Sequence, residues 1–283
     1  MHSEKLHDAR DHARAPVEQL HPGASARRAK VVLFDFDGTL SLIRAGWVEV
    51  MVPMMVEILT ALNSGETEAE LSTLVEEFVA RLTGEQTIYQ MIELARQVQL
   101  RGGRPLEPLA YKKMYHDRLM AKIEYRREEL RSGAAQLEKY LVPGTRALLE
   151  SLKERGLKLY CASGTDEVYT LEEAELLRVR DYFDGGVYGA QDNYQSFSKE
   201  ILIQRIIQQF ECGGEELLGF GDGYVEIKNV KDAGGVAVGV ATAEPECRVV
   251  DEWKRQRLVK VGADFIVPNF LAHAQLLEAL FPE

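Results

Sequence analysis

Residues 30–40 read KVVLFDFDGTL, an apolar run that ends abruptly in acidic and small residues. The run Lys30–Phe34 is short and rich in β-branched residues, which is typical of a strand buried on both faces of a parallel sheet. The polar residues after it predict a loop at the carboxyl end of that strand. Apolar runs that stop in the same way recur at residues 157–162, 217–220, 236–240 and 265–267. The sequence therefore predicts five strands, each followed by polar or small residues.

Helical patterns lie between these strands, at residues 145–154, 199–210 and 225–233. Alternating strands and helices are typical of an α/β fold in which helices cover both faces of a doubly wound parallel sheet. Such sheets bind their ligands at the carboxyl ends of the strands. We therefore expect the polar loops to gather along one edge of the sheet.

Residues from about 45 to 140 interrupt the alternation, because they contain long helical stretches and no convincing strand. One helical face is marked by Leu71, Leu74, Val75, Phe78, Val79 and Leu82. Turns are expected at Gly84, residues 102–105 and Gly133, and Pro143-Gly144 marks the return to the sheet. The sequence predicts an α-helical cap domain at residues 45–140, inserted into a core of residues 29–44 and 141–283, with a cleft between them. Residues 1–28 are polar and mixed in charge, which predicts a frayed tail.

Composition narrows the class of protein. The 283 residues are 46% hydrophobic, which suffices for a sizeable core, and 34 basic against 45 acidic residues give a net charge of −11. A general attraction to nucleic acid or to an anionic membrane is therefore not expected. Three widely spaced cysteines form no disulfide framework, and no apolar stretch approaches the ~20 residues of a membrane span. The start of the chain also lacks the apolar centre of a signal peptide, so we expect a soluble cytoplasmic protein, of undetermined oligomeric state.

Asp35 and Asp37 stand one residue apart where the first strand ends, so they crowd one small space. Burying two like charges is unfavourable unless a cation joins them or one of them stays protonated. The pair therefore predicts a magnesium site, an acid–base pair, or both. A simple turn that closes the strand, helped by Gly38 and Thr39, would also fit this stretch taken alone.

Three other loops carry residues that phosphoryl chemistry needs. Ser163 and Gly164 offer a hydroxyl and backbone amides for phosphate oxygens, and Lys199 offers an ammonium at the start of a helix. Asp222 and Glu226 add carboxylates that suit direct and outer-sphere coordination of magnesium. Each residue has a simpler alternative, such as a strand-end serine, a solvated lysine, an Asx turn or a helix N-terminal acid. Their joint placement at strand ends favours a single site.

Four motifs fall in order at these positions: Asp35-Phe36-Asp37-Gly38-Thr39-Leu40, Ala162-Ser163-Gly164-Thr165, Ser198-Lys199 and Gly221-Asp222-Gly223-Tyr224-Val225-Glu226. Together they resemble the motifs of haloacid dehalogenase (HAD) superfamily phosphatases. The first motif is highly specific, whereas the second and third are weak when taken singly. The resemblance spans roughly residues 30–283 apart from the cap. Residues 234–242 and 262–267 look most like the phosphoglycolate phosphatase and sugar phosphatase branches.

The resemblance implies a role for each of these residues. Asp35 would be the nucleophile that forms an aspartyl-phosphate, and Asp37 would protonate the leaving alkoxide and later deprotonate the attacking water. The groups that would hold Mg²⁺ are the Asp35 carboxylate, the Asp37 backbone carbonyl, Asp222 and Glu226, the last directly or through water. The transferring phosphoryl group would be bound by Ser163, Gly164 and Lys199.

Two details limit what the resemblance implies. Glu226 stands where many relatives carry a second Asp, which leaves its mode of contact open. Asp37 disfavours a dehalogenase, because a departing halide needs no proton. A phosphomutase uses the same two aspartates and stays an alternative, as does a non-catalytic protein that binds a phosphorylated metabolite.

The position of the cap bears on the substrate. In relatives with a helical insertion between the first two motifs, the insertion is a mobile lid over a small phosphorylated molecule. The resemblance therefore implies a sugar phosphate, a polyol phosphate or phosphoglycolate as substrate. Candidate contacts are Arg44, Trp47 and residues 84–87, although a solvated or ion-paired surface position for Arg44 and core packing for Trp47 are the simpler expectations.

Overall fold

One sheet of seven strands organises the computed structural model, which describes residues 16–191, 193–210 and 213–283. The strands are β1 (Glu18–Gln19), β2 (Val31–Phe34), β3 (Lys158–Asp166), β4 (Gly186–Ala190), β5 (Leu217–Gly221), β6 (Val236–Val240) and β7 (Phe265–Val267). Their order is β1-β7-β6-β5-β2-β3-β4, and every neighbouring pair is parallel except β1 with β7. The five predicted strands are all present, and the predicted doubly wound parallel sheet is confirmed.

Helices cover both faces of the sheet and form the insertion. Between β2 and β3 lie α1 (Val48–Thr60), α2 (Glu68–Arg81), α3 (Thr87–Leu100) and α4 (Pro108–Arg131). After them come α5 (Thr145–Glu154), α6 (Glu167–Leu176), α7 (Lys199–Phe210), α8 (Tyr224–Asp232), α9 (Glu252–Lys260) and α10 (His273–Leu280). The predicted helices at 145–154 and 199–210 have these same bounds, and the third lies one residue earlier than predicted. Among the described residues, no helix combines the length and the apolar character that crossing a membrane requires.

Strand β2 is buried on both faces, as its apolar sequence predicts. Its residues Val32 and Phe34 belong to an apolar cluster with α5, α10 and the inserted helices, whereas Val31 and Leu33 pack with α7 and α8. Phe34 stacks on Phe220 of the neighbouring β5, with 4.6 Å between the ring centroids. Such a pair adds roughly 1 kcal/mol to the free energy of area burial. The packing fixes the two central strands relative to each other.

Residues 16–28 correct the prediction of a frayed tail. Strand β1 pairs with the edge of β7, and both Val17 and Ala26 are buried. Glu18 also forms a bidentate ion pair with Arg255, with N–O distances of 2.6 and 2.7 Å. The prediction was wrong here because two isolated apolar residues have no periodicity, and the pairing edge comes from a distant part of the chain. Residues 1–15 of the predicted tail lie outside the described residues.

Strand β4 is absent from the sequence prediction. Gly186 and Gly189 interrupt its apolar pattern, and its first three residues are only partly buried. It lies at the edge of the sheet and pairs with β3 alone. An edge strand in this position is held by backbone pairing more than by a continuous apolar run, so its local sequence signal is weak.

Gly144, which precedes α5, occupies a position that excludes any side chain. Its φ is +86°, and a Cβ there would lie 2.3 Å from the carbonyl carbon and oxygen of Phe270. We expect Gly144→Ala to lower the free energy of unfolding by at least about 2 kcal/mol, because left-handed strain adds to an overlap with backbone. Urea unfolding followed by circular dichroism measures the loss.

Gly156→Ala is the matched control, since Gly156 has a φ of +76° but nothing within 4 Å of an added Cβ. It should lose only the backbone contribution, about 1 kcal/mol. Equal losses for the two variants would contradict the steric role assigned to Gly144.

Candidate active site

The carboxyl ends of β2, β3 and β5 meet at one edge of the sheet, because β2 lies between the other two strands. The loops that follow β2 and β5 and the last residues of β3 reach this edge, together with the first residue of α7. One cleft is lined by six of the predicted residues: Asp35, Asp37, Ser163, Gly164, Lys199 and Asp222. The seventh, Glu226, lies in the first turn of α8 and contacts Lys199 from behind the cleft. The structure therefore brings all seven residues together.

Asp35 lies at the centre of this cleft and is only 6% exposed. Its backbone N–H donates to the carbonyl of Phe220 at 2.9 Å, and its Oδ1 accepts from Lys199 Nζ at 2.7 Å. Burial raises the pKa of Asp35 to about 7, against the attraction of Lys199, and the charges of Asp222 and Asp37 act in the same direction as burial. Asp35 thus has several carboxylates around it and one cation in direct contact.

Asp37 is held by neutral donors. Its Oδ2 accepts hydrogen bonds from Ser163 Oγ at 3.1 Å and from Thr165 Oγ1 at 2.9 Å. Its Oδ1 accepts no hydrogen bond from the described residues and lies 3.9 Å from Arg44 Nε. The Ser163 hydroxyl, predicted as a phosphate donor, therefore orients Asp37 in this structure.

Lys199 connects two carboxylates in the interior. It is 6% exposed, pairs with Asp35 on one side and contacts the 2% exposed Glu226 on the other. Because α8 begins at Tyr224, its first turn carries Glu226 towards the sheet. An ammonium between two buried carboxylates keeps the nucleophile candidate from carrying an isolated charge.

Asp222 approaches the loop after β2 very closely. Its backbone N–H donates to Thr39 Oγ1 at 2.9 Å, and its Oδ2 would lie 2.3 Å from a Cβ added at Gly38. Gly38 has a φ of +74°, so both its backbone conformation and the space beside it favour glycine. The specific Asp-Gly-Thr sequence after Phe36 thus serves the packing of Asp222 as well as the turn.

Two residues that the sequence analysis did not single out complete this corner. Lys254 Nζ donates to Asp222 Oδ2 at 2.8 Å and to Glu244 Oε1 at 2.7 Å. Burial acts to lower the pKa of Lys254, but the charges of Asp222 and Glu244 outweigh it and raise that pKa above its ordinary value. Burial also raises the pKa of Glu244. No local signal identifies either residue, because Lys254 belongs to a helix of mixed charge, 32 residues from Asp222.

The donor chemistry at this edge fits Mg²⁺. Carboxylates of Asp35 and Asp222 and the backbone carbonyl of Asp37 are the hard oxygen donors that this ion takes. A divalent cation among them would also relieve the repulsion that helps to raise the pKa of Asp35. Over the described ranges, no three acidic, histidine or cysteine side chains already form a ligand cluster. Lysine ammonium groups contact Asp35 and Asp222 instead.

The inserted helices contribute a loop to the cleft. A Cβ added at Gly164 would lie 2.6 Å from the carbonyl oxygen of Glu85, so this glycine allows the inserted loop to approach the sheet. Gln86 is buried, and its Nε2 donates to the carbonyls of Phe197 at 2.6 Å and Tyr194 at 3.0 Å. These contacts seat the predicted segment 84–87 directly on the core.

Arg44 and Trp47 both line the cleft. The expectation of a solvated or ion-paired surface position for Arg44 was wrong about the surface, because Arg44 is buried: its Nη2 and Nε lie 2.8 and 3.1 Å from the two carboxylate oxygens of Glu173. Trp47 is partly buried against the apolar cluster, as its simpler interpretation predicts. The lining of the cleft therefore includes a compensated cation and an aromatic side chain besides the carboxylates.

Comparison of folds finds this architecture in several solved structures. A predicted phosphoglycolate phosphatase from Haemophilus somnus 129pt is 16% identical, with a TM-score of 0.56 over 88% of this chain and 98% of that chain. A predicted phosphatase from Clostridium acetobutylicum is 20% identical, with a TM-score of 0.56 over 88% and 99%. A β-phosphoglucomutase from Clostridium difficile is 13% identical, with a TM-score of 0.51 over 82% and 98%. At these identities the likeness shows the fold alone.

The sequence comparison reaches the family. A search of curated proteins found no match. The family model of the haloacid dehalogenase-like hydrolases, however, matches residues 29–234, which is more than half of the 283 residues and includes all seven residues of the candidate site. The chain therefore belongs to the haloacid dehalogenase-like hydrolase family.

Proposed function

We propose that this protein is a magnesium-dependent phosphatase that hydrolyses a small phosphorylated metabolite through an aspartyl-phosphate intermediate. The observation that carries the proposal is the different environment of two neighbouring carboxylates. Asp35 is paired with Lys199 at 2.7 Å, whereas Asp37 is held by the hydroxyls of Ser163 and Thr165. Carboxylates in such different surroundings are suited to different roles, one as nucleophile and the other as acid–base.

In the first step, a carboxylate oxygen of Asp35 attacks phosphorus, and the bond from phosphorus to the leaving oxygen breaks. Asp37 gives its proton to that oxygen, so the product leaves as an alcohol. Lys199, already in contact with Asp35, neutralises charge on the oxygens of the transferring group. Gly164 also lines the cleft, and its backbone amide would supply a further donor.

In the second step, Asp37 takes a proton from water, and the water oxygen attacks the phosphorus of the aspartyl-phosphate. The bond from phosphorus to the Asp35 oxygen breaks, which releases inorganic phosphate and restores the Asp35 carboxylate. Mg²⁺ held by Asp35, the Asp37 carbonyl and Asp222 would supply charge neutralisation during both steps. Glu226, which contacts Lys199, would belong to the outer sphere of the metal.

The inserted residues 45–140 would act as the lid that selects the substrate. Residues of the 83–87 loop line the same cleft as the carboxylates, together with Arg44, Trp47 and Tyr115. A cleft closed in this way suits a sugar phosphate, a polyol phosphate or phosphoglycolate and excludes bulk water during the reaction. A panel of these compounds, assayed for released phosphate, identifies the substrate class. Transfer of phosphate to a second position of the sugar, in place of release, would favour a phosphomutase.

The two aspartates have distinguishable variants. With p-nitrophenyl phosphate, whose leaving group needs no proton, Asp37→Asn should accumulate a phosphorylated enzyme that intact-mass spectrometry detects. Asp35→Asn should show no such adduct, and turnover should fall by at least about 1,000-fold. Asp117→Asn, at an exposed position, is the matched control and should keep full activity. Turnover by folded Asp35→Asn would contradict the covalent mechanism.

Removal of divalent cations tests the metal. We expect EDTA to lower the rate of phosphate release by at least about 100-fold, because the carboxylate cluster would face a phosphate dianion without the neutralising ion. Addition of Mg²⁺ in excess of the chelator should restore the rate. A rate that is unchanged after exhaustive chelation contradicts the magnesium dependence.

The seat of the inserted loop has its own variant. Gln86→Ala removes two hydrogen bonds to backbone carbonyls, at about 1 kcal/mol each, so kcat/KM should fall roughly tenfold or more. Steady-state kinetics on the best compound of the panel measures the change. Gln99→Ala, on the exposed face of α3, is the matched control and should leave kcat/KM unchanged. Equal values for both variants would argue against a catalytic role for closure.

A further inference from the structure

A second lysine, Lys254, contacts Asp222, which the proposed function assigns to the metal. The proposed reaction makes no use of this lysine. Its Nζ lies 2.8 Å from Asp222 Oδ2 and 2.7 Å from Glu244 Oε1. The side chains of all three residues are mostly buried, with exposures of 15%, 14% and 21% for Lys254, Asp222 and Glu244. They come from the start of α9, the loop after β5 and the loop after β6, so only the tertiary fold assembles them.

This cluster abuts the loop that carries the two aspartates. A Cβ added at Gly38 would meet Asp222 Oδ2 at 2.3 Å and Glu244 Oε1 at 3.1 Å. Lys199 already serves the phosphoryl side of the site through Asp35. The charge of Lys254 acts instead on Asp222, the second of the two carboxylates that would bind the metal.

We propose that Lys254 is a positioning residue that competes with the divalent cation for Asp222, and that Glu244 retains Lys254 when the cation takes Asp222. The inference rests on the metal site of the proposed function. An ammonium within 3 Å of a carboxylate both satisfies that carboxylate and repels a cation that approaches it. Glu244 offers the same ammonium a second partner at equal distance, so Lys254 need not be left unpaired in a buried corner.

The competition makes metal binding and stability interdependent. Without metal, Lys254 neutralises Asp222 and Glu244, and its loss leaves two carboxylates unpaired in partly buried surroundings. With metal, the cation compensates Asp222, so the loss of Lys254 costs less. Removal of Lys254 should therefore destabilise the metal-free protein more than the Mg²⁺-bound protein.

The test uses the full chain, stripped with EDTA and dialysed, with Mg²⁺ titrated by isothermal calorimetry and Tm measured with and without Mg²⁺. Lys254→Met should bind Mg²⁺ at least about fivefold more tightly than the parent and show a larger Mg²⁺-induced rise in Tm. Glu244→Gln should have the opposite effect and weaken binding by about fivefold, because the ammonium then rests on Asp222 alone. In a protein that already carries Lys254→Met, Glu244→Gln should weaken Mg²⁺ binding much less.

Lys231→Met is the matched control. Lys231 pairs with the buried Asp264 at 2.7 Å, but that pair lies where β6 and β7 begin, at the opposite edge of the sheet. The decrease in Tm of this variant should be the same with and without Mg²⁺, and its Kd for Mg²⁺ should equal that of the parent.

Two results would overturn the inference. One is a Lys254→Met protein whose Kd for Mg²⁺ is unchanged or larger and whose decrease in Tm is the same with and without Mg²⁺, as in the control. The other is an equal effect of Glu244→Gln in both backgrounds. If Lys254→Met does not fold, Glu244→Gln alone decides, since unweakened binding contradicts the competition. A parent protein that binds no Mg²⁺ would instead refute the metal site of the proposed function.

Discussion

The crowding of carboxylates at the ends of three parallel strands is the constraint on which the rest of this structure depends. Asp35, Asp37 and Asp222 line one cleft, and Glu226 and Glu244 lie just behind it. Like charges at this density destabilise a fold unless cations or protons compensate them. Lys199 and Lys254 supply the compensation from two different helices, and each ammonium contacts two carboxylates. The site is therefore stable only as an assembly of both signs.

Strand order explains why these groups meet. Strand β2 lies between β3 and β5, so the loops after β2 and β5 and the last residues of β3 are neighbours at the same edge. The stacked rings of Phe34 and Phe220 tie β2 to β5 one residue before Asp35 and two before Asp222. Close approach is then possible because Gly38 has no side chain to meet Asp222. The packing of the buried part of the strands thus sets the distances between the residues at the carboxyl ends of these strands.

The loop between α2 and α3 meets the core through backbone atoms and neutral hydrogen bonds, whereas α4 forms ion pairs with Asp166 and Glu172 of the core. Gly164 permits the carbonyl of Glu85 to approach, and the Gln86 side chain reaches two carbonyls of the loop before α7. Arg44 forms an ion pair with Glu173, and Arg44 itself lies within 4 Å of Asp37. A loop seated by neutral hydrogen bonds can separate and return at a modest free-energy difference, which the proposed lid would require.

The amino-acid sequence by itself determined five strands of the sheet, three of the core helices and the identity of the seven candidate residues. These features are local, because a buried strand, an amphipathic helix and a motif at a strand end each leave a periodic or compositional pattern within a few residues. Glycines interrupt that pattern in β4, and two isolated apolar residues do not suffice to predict β1.

Only the tertiary structure decided the partners of the charges. Arg44 meets Glu173 across 129 residues, and Lys254 meets Asp222 across 32 residues. Nothing in the mixed-charge helix around Lys254 distinguishes a lysine that contacts a metal-ligand candidate from one that faces water. The difference arises from which loops the sheet order brings together, and pairing over such separations has no local signature in the chain.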